Sequence, residues 1–162
     1  MSGTVRARQW WTPESMRADL AVRDPGALVA IEALVLAVES AGVRFDPRQT
    51  MDPKLVIVVE DPVTGKVGDL ATVSYQPNGA VMLELDFTAA SAPRNRRALP
   101  RVEALLDRVA AVDEELASMV GEIRGRGLAA THPNRPLAQQ SPESVATLVA
   151  LAAEFNAGRG SD

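Results

Sequence analysis

KLVIVVEDPVTGKVGDLATVSYQPNGAVMLELDF, residues 54–87, is the stretch on which the fold turns. Leu55-Val56-Ile57-Val58-Val59 is a short β-branched run, which reads as a central strand over residues 54–60 covered on both faces. Asp61 to Lys66 has turn chemistry, and Val67 to Tyr75 makes a second strand. Pro77-Asn78-Gly79 signals a hairpin into a third strand at 80–87. There the pattern alternates cleanly, with Val81, Leu83, Leu85 and Phe87 facing one way and Met82, Glu84, Asp86 and Thr88 the other. The spacing predicts a three-stranded antiparallel meander.

Outward from the meander the period changes to that of helices. Thr12-Pro13-Glu14 opens a helix over 12–23, with a capping hydroxyl, a proline suited to the first turn and an acid at the positive end of the dipole. Trp11 and Met16 have hydrophobic-staple spacing. Asp24-Pro25-Gly26 breaks that helix and starts another over 26–41, which ends at Gly42. This second helix is apolar almost all round, and its charges, Glu32 and Glu39, share one face that reads as its solvent exit.

Beyond the meander, Val102, Leu105, Val109, Val112, Leu116, Met119 and Ile123 repeat at 3-4 spacing, which predicts one helix over 99–124 with a heptad seam. Such a seam needs a helical partner, either in the same chain or in a second copy, and these seven residues are the expected dimer interface. Ser141-Pro142-Glu143 caps a last helix over 142–156. The expected fold class is therefore α+β, a single domain over 1–162 with flexible ends at 1–9 and 158–162.

Composition narrows the function. The chain has 162 residues and no cysteine, which excludes thiol nucleophiles, zinc–thiolate sites and disulfides. Aromatics are only 4%, too few for base-stacking platforms, and a net charge of −4 has the wrong sign for binding nucleic-acid phosphates. Arg outnumbers Lys 15 to 2, as in proteins of GC-rich bacterial genomes. The first residues lack the apolar core of a signal peptide, and Ala27 to Val38 is too short to span a bilayer, so a cytoplasmic protein with no membrane contact is expected.

No cofactor motif is present, and no cofactor is expected. Gly65-Lys66 lacks the upstream glycine and following helix of a phosphate loop. His132 is the sole histidine, and between Thr131 and Pro133 it reads as a structural or solvated loop residue. Arg94, Arg96, Arg97 and Arg101 crowd one loop and helix start. They read as a solvated cluster pairing with nearby carboxylates, or as a contact for an anion or acidic partner.

The remaining constellation is acidic. A two- or four-residue hairpin loop would place Tyr75 opposite Met82 and bring Asp69, Glu84 and Asp86 onto one face, within reach of a divalent ion. A three-residue loop with a glycine bulge would shift the register and separate them. With Asp on the second strand and Glu-x-Asp on the third, the order helix, meander, helix resembles the core of the PD-(D/E)xK nuclease superfamily over roughly residues 27–124. That resemblance implies a metal-dependent nuclease using Asp69, Glu84 and Asp86. It departs at the family's lysine, which would fall at Asp86; the only lysines are Lys54 and Lys66.

The order and acidity also resemble the small chaperones of bacterial secretion systems, without a signature residue. The reading favoured by the sequence is a non-enzymatic, homodimeric protein-interaction module of the chaperone or adaptor kind, with no catalytic residues and no metal. The nuclease and an anion- or small-ligand-binding domain are the alternatives.

Overall fold

The computed structural model describes residues 7–65, 67–89, 102–127 and 132–158. In chain order these form β1 (Gln9–Trp11), α1 (Pro13–Arg23), α2 (Pro25–Ser40), β2 (Arg44–Asp46), β3 (Arg48–Thr50), β4 (Lys54–Glu60), β5 (Val67–Tyr75) and β6 (Val81–Ala89). Then follow α3 (Val102–Ala110), α4 (Glu114–Arg126), β7 (Asn134–Pro136), a 3₁₀ turn (Leu137–Gln139) and α5 (Pro142–Asn156). The α+β class is as expected, but the sheet is larger than a three-stranded one. Five antiparallel strands run in the order β2-β4-β5-β6-β7, and β1 pairs with β3 as a separate two-stranded ribbon. The added strands are three residues each, too short to show any period in sequence. Gln9, expected in a flexible end, starts β1, whereas 1–6 and 159–162 lie outside the described residues.

The helix ends follow their caps. Thr12 and Ser15 form a reciprocal capping box at α1, Asp24 accepts from the Ala27 amide at 3.1 Å to start α2, and Ser141 caps α5. The single helix expected over 99–124 is instead two. Asp113 adopts extended backbone, and its carboxylate accepts from the Leu116 amide at 2.7 Å, restarting the helix as α4. An aspartate about halfway along a heptad run satisfies backbone N–H groups better as a cap than in a helix interior. Arg124, near the end of α4, reaches Asp107 at 2.5 Å and Glu103 at 3.3 Å on α3, closing a helical hairpin.

One face of the large sheet carries the core. Leu55, Ile57, Val59, Leu70, Ala71, Val73, Leu83, Leu85 and Phe87 are buried in one cluster with residues of α1, α2, α3, α4 and α5. Trp11 and Met16, the expected staple pair, are both in it, while Trp10 is exposed. Val102, Leu105, Val109, Leu116, Met119 and Ile123 are also buried in this cluster, with the half-buried Val112 packed against it. The heptad seam thus finds its partner within its own chain.

The hairpin loop has three residues. Gln76 N donates to Ala80 O at 2.8 Å, Gly79 takes φ +87°, and Tyr75 pairs with Val81, one position from Met82. A left-handed position of this kind suits glycine. The register then shifts further along. Ala71 pairs with Ile57 and Leu85, but Asp69 pairs with Val58 and Thr88. Between those rungs β4 advances one residue, β5 two and β6 three, so bulges accumulate across the sheet, and Phe87 sits at φ +53° with its ring fully buried.

Leu85 lies at the centre of this arrangement with no exposed surface. Leu85→Ala should lower the unfolding free energy by about 2–5 kcal/mol in chemical denaturation, the range for a fully buried leucine that leaves a cavity.

Candidate functional site

The polar side chains gather on the other face of the sheet. Asp69, Thr72, Ser74, Met82, Glu84 and Asp86 all point away from the helices, because their sequence neighbours Leu70, Ala71, Val73, Leu83, Leu85 and Phe87 point in. The three acids expected to cluster therefore do share a face, although by a different register from the one that first suggested it. Their environments differ, and among the described residues no group of three or more His, Asp or Glu is arranged to hold a metal ion.

Asp69 belongs to Arg48. The Arg48 guanidinium donates to Asp69 Oδ1 at 2.6 Å and Oδ2 at 3.2 Å, and its Nε donates to Asp46 Oδ2 at 2.9 Å. Burial alone would lower the Arg48 pKa, but the hydrogen bonds and charges of Asp69 and Asp46 outweigh it and raise it. A two-pronged pair of this kind fixes both geometry and charge. Arg48 gave no signal in sequence, since its strand is three residues long. The cluster Arg94, Arg96, Arg97 and Arg101 lies outside the described residues, as does Lys66.

Asp86 is held in the opposite state. It is 6% exposed, and its pKa is pushed up to about 8 by desolvation first, then by a hydrogen bond and charge repulsion from Glu84, with a smaller contribution from Asp69. Thr72 Oγ1 donates to Asp86 Oδ2 at 2.7 Å, which favours the ionised form and only partly offsets the rise. At neutral pH Asp86 is a carboxylic acid beside the Glu84 carboxyl. His132, read from the sequence as a solvated or structural loop residue, lies with Nδ1 3.6 Å from Asp86 Oδ1 and its side chain mostly buried. That is beyond hydrogen-bond length but within ion-pair range.

The chemistry open to this group is limited by its donors. The Thr72 proton is directed at a carboxylate and not at the imidazole, so Thr72 is not a hydroxyl activated by a histidine base. Asp69 is held through both of its oxygens by the Arg48 guanidinium, which competes directly with any divalent ion for that carboxylate.

In front of Glu84 the outer face opens into a cavity of ≈ 400 Å³. Thr72 and Ser74 line it in the middle, Lys54, Thr50 and Arg8 on one side, and Glu84 and Asn134 on the other. Comparisons with protein-family models, with curated proteins and with solved structures give no match for this chain.

Asp86 makes a testable statement about pH. The folded chain holds this proton far above the unfolded carboxyl range, so the stability it contributes is complete below the model-peptide value of about 3.9 and is lost as pH rises through about 8. The groups that face it are Glu84, Asp69, Thr72 and His132. Asp86→Asn should therefore gain in melting temperature relative to the parent as pH goes from 6 to 9. Carboxyl ¹³C titration should show Glu84→Gln lowering the Asp86 midpoint.

Proposed function

We propose that this chain is a non-enzymatic interaction domain of the adaptor or chaperone kind that works as a homodimer through the outer stripe of α2. One observation carries the reading. Val29, Ala33 and Leu36 are exposed in a line along α2, with Val29 at 73% and Leu36 at 65%. Of the two charges expected to mark the solvent exit of that helix, Glu39 is exposed and Glu32 is half-exposed, with Arg17 Nε of α1 donating to it at 2.8 Å. An aligned apolar stripe left in water on an otherwise packed helix is the mark of a surface used for association.

A second copy of the same stripe is its natural partner. Two α2 helices crossing antiparallel at Ala33 put the smallest side chain at the closest approach and each Val29 against the other copy's Leu36, the self-complementary pattern of a two-fold interface. The same arrangement lays Glu39 beside the start of the partner helix, where the dipole is positive. Beside the stripe an apolar groove of ≈ 170 Å³, lined by Ala30, Ala37, Leu137 and Val145, extends the surface.

Light scattering at micromolar concentration should give twice the chain mass of 17.2 kDa. Leu36→Arg should give the single mass with its melting temperature little changed, because Leu36 is mostly exposed. A monomer for the parent chain overturns the reading.

The nuclease alternative is disfavoured by the Arg48–Asp69 pairing. Millimolar Mg²⁺ or Mn²⁺ should leave the melting temperature unchanged. An ion at a hundred times its Kd would add about 2.7 kcal/mol. A rise of that size, abolished by Asp69→Asn, would put the nuclease reading first.

A further inference from the structure

The cavity on the outer sheet face has charge of opposite sign on its two sides. Lys54 begins β4, and Arg8 lies just before β1, whose partner β3 rests against β4, so both cations stand on one side. Among the described residues neither is engaged in an ion pair or hydrogen bond, whereas Asp52, which lines the same side, has a contact of its own. Glu84 on β6 and Asn134 on β7 stand on the other side. Lys54 pairs with Ser74 and Ser74 with Met82, so two strand spacings, about 10 Å, separate the walls.

The floor between the walls is made for hydrogen bonding. Ser74 Oγ accepts from Gln76 Nε2 at 2.7 Å and keeps its own proton to donate. Thr72 is tied to Asp86 beneath, and this locks the floor in place. Glu84 has the buried Asp86 behind it, so a cationic or donating group in the cavity would offset the crowding of the two carboxyls. A volume of ≈ 400 Å³ falls in the range of about 300–1,000 Å³ typical of small-molecule sites.

We infer that this cavity binds a small zwitterion of amino-acid to dipeptide size, its carboxylate on Lys54 and Arg8 and its amine on Glu84, with Ser74 between them. Among the described residues the two charged walls are not paired with each other, and together they match a ligand that carries both signs. A purely anionic ligand would meet Glu84, and a purely cationic one would meet Lys54 and Arg8. Each would use half of the site. The inference is independent of self-association through α2, which lies on the helical side of the sheet.

The test is backbone-amide NMR on the intact chain, titrated with glycylglycine, with N-acetylglycine, which lacks the amine, and with ethylamine, which lacks the carboxylate. Glycylglycine should give saturable shifts at Lys54, Thr72, Ser74 and Asn134. The two half-ligands should bind at least about tenfold more weakly, the loss of one charged contact. Lys54→Gln and Glu84→Gln, both at incompletely buried positions, should each weaken glycylglycine binding at least about tenfold while the spectrum stays folded. Leu36→Arg should leave it intact. No saturable shift with glycylglycine, shifts centred elsewhere, equal binding of N-acetylglycine, or undiminished binding in either cavity variant would overturn the assignment.

Discussion

Leu70 and Ala71 are neighbours in the chain, yet both face the helices, and the rest of the outer surface depends on that irregularity. In a regular strand that buries Ala71, Val73 and Tyr75, residue 69 would also point inward, placing the Asp69 carboxylate in an apolar core. Burying an unpaired carboxylate is costly enough to forbid such an arrangement. The bulge at Leu70 reverses the alternation and delivers Asp69 to the outer face, opposite Val58 and Thr88. β6 accommodates the shift with a further residue, and Phe87 takes a positive φ that a bulky side chain rarely adopts. The complete burial of its ring holds it there.

Once on the same face, the acids reach neutrality by two different routes. Asp69 is matched by Arg48, which meets it with two donors, and the ribbon of β1 and β3 carries Arg48 to that position. Among the described residues Asp86 has no comparable cation in hydrogen-bond contact. Desolvation and the adjacent Glu84 make its proton cheaper to keep than to lose, so it joins the floor of the cavity as a neutral acid. One sheet face thus holds three carboxyl groups without the mutual repulsion that would make them a magnet for a divalent ion.

The strands β4, β5 and β6 and the helices α1, α2 and α5 were legible because each is long enough to show a period or is opened by a capping residue. β2, β3 and β7 were not, since three residues carry no period and their pairing is decided by the edges they find. The break between α3 and α4 lay hidden in a seam whose numbering continues unbroken through it. Only the capping preference of Asp113 pointed to it, and the heptad outweighed that signal. Glu84 and Asp86 were legible as outward residues, whereas Arg48, Thr72 and His132 became part of the site through bulges and loop closure, which act over distances in sequence that no local pattern records. Lys54 was first notable only as a lysine away from the motif position. Lys54 stands at a cavity because β4 begins there.

The division of labour between the two sheet faces follows from composition. A core made of Ala, Val and Leu with few aromatics buries little area per residue, so the helical layer must contribute α1 to α5 to close it. A helix recruited into such a layer has more apolar surface than the layer can cover, and α2 shows the surplus at Val29, Ala33 and Leu36. The opposite face has the reverse composition, since the outward positions of β5 and β6 are mostly polar or charged. It gains order from hydrogen bonds and ion pairs, which hold side chains at defined angles without filling space. An unfilled, polar, sign-divided cavity is what remains when such a face is bounded by a ribbon on one side and a short edge strand on the other. The apolar surplus on one side is what the proposed self-association rests on, and the polar cavity on the other is what the proposed small-molecule site rests on.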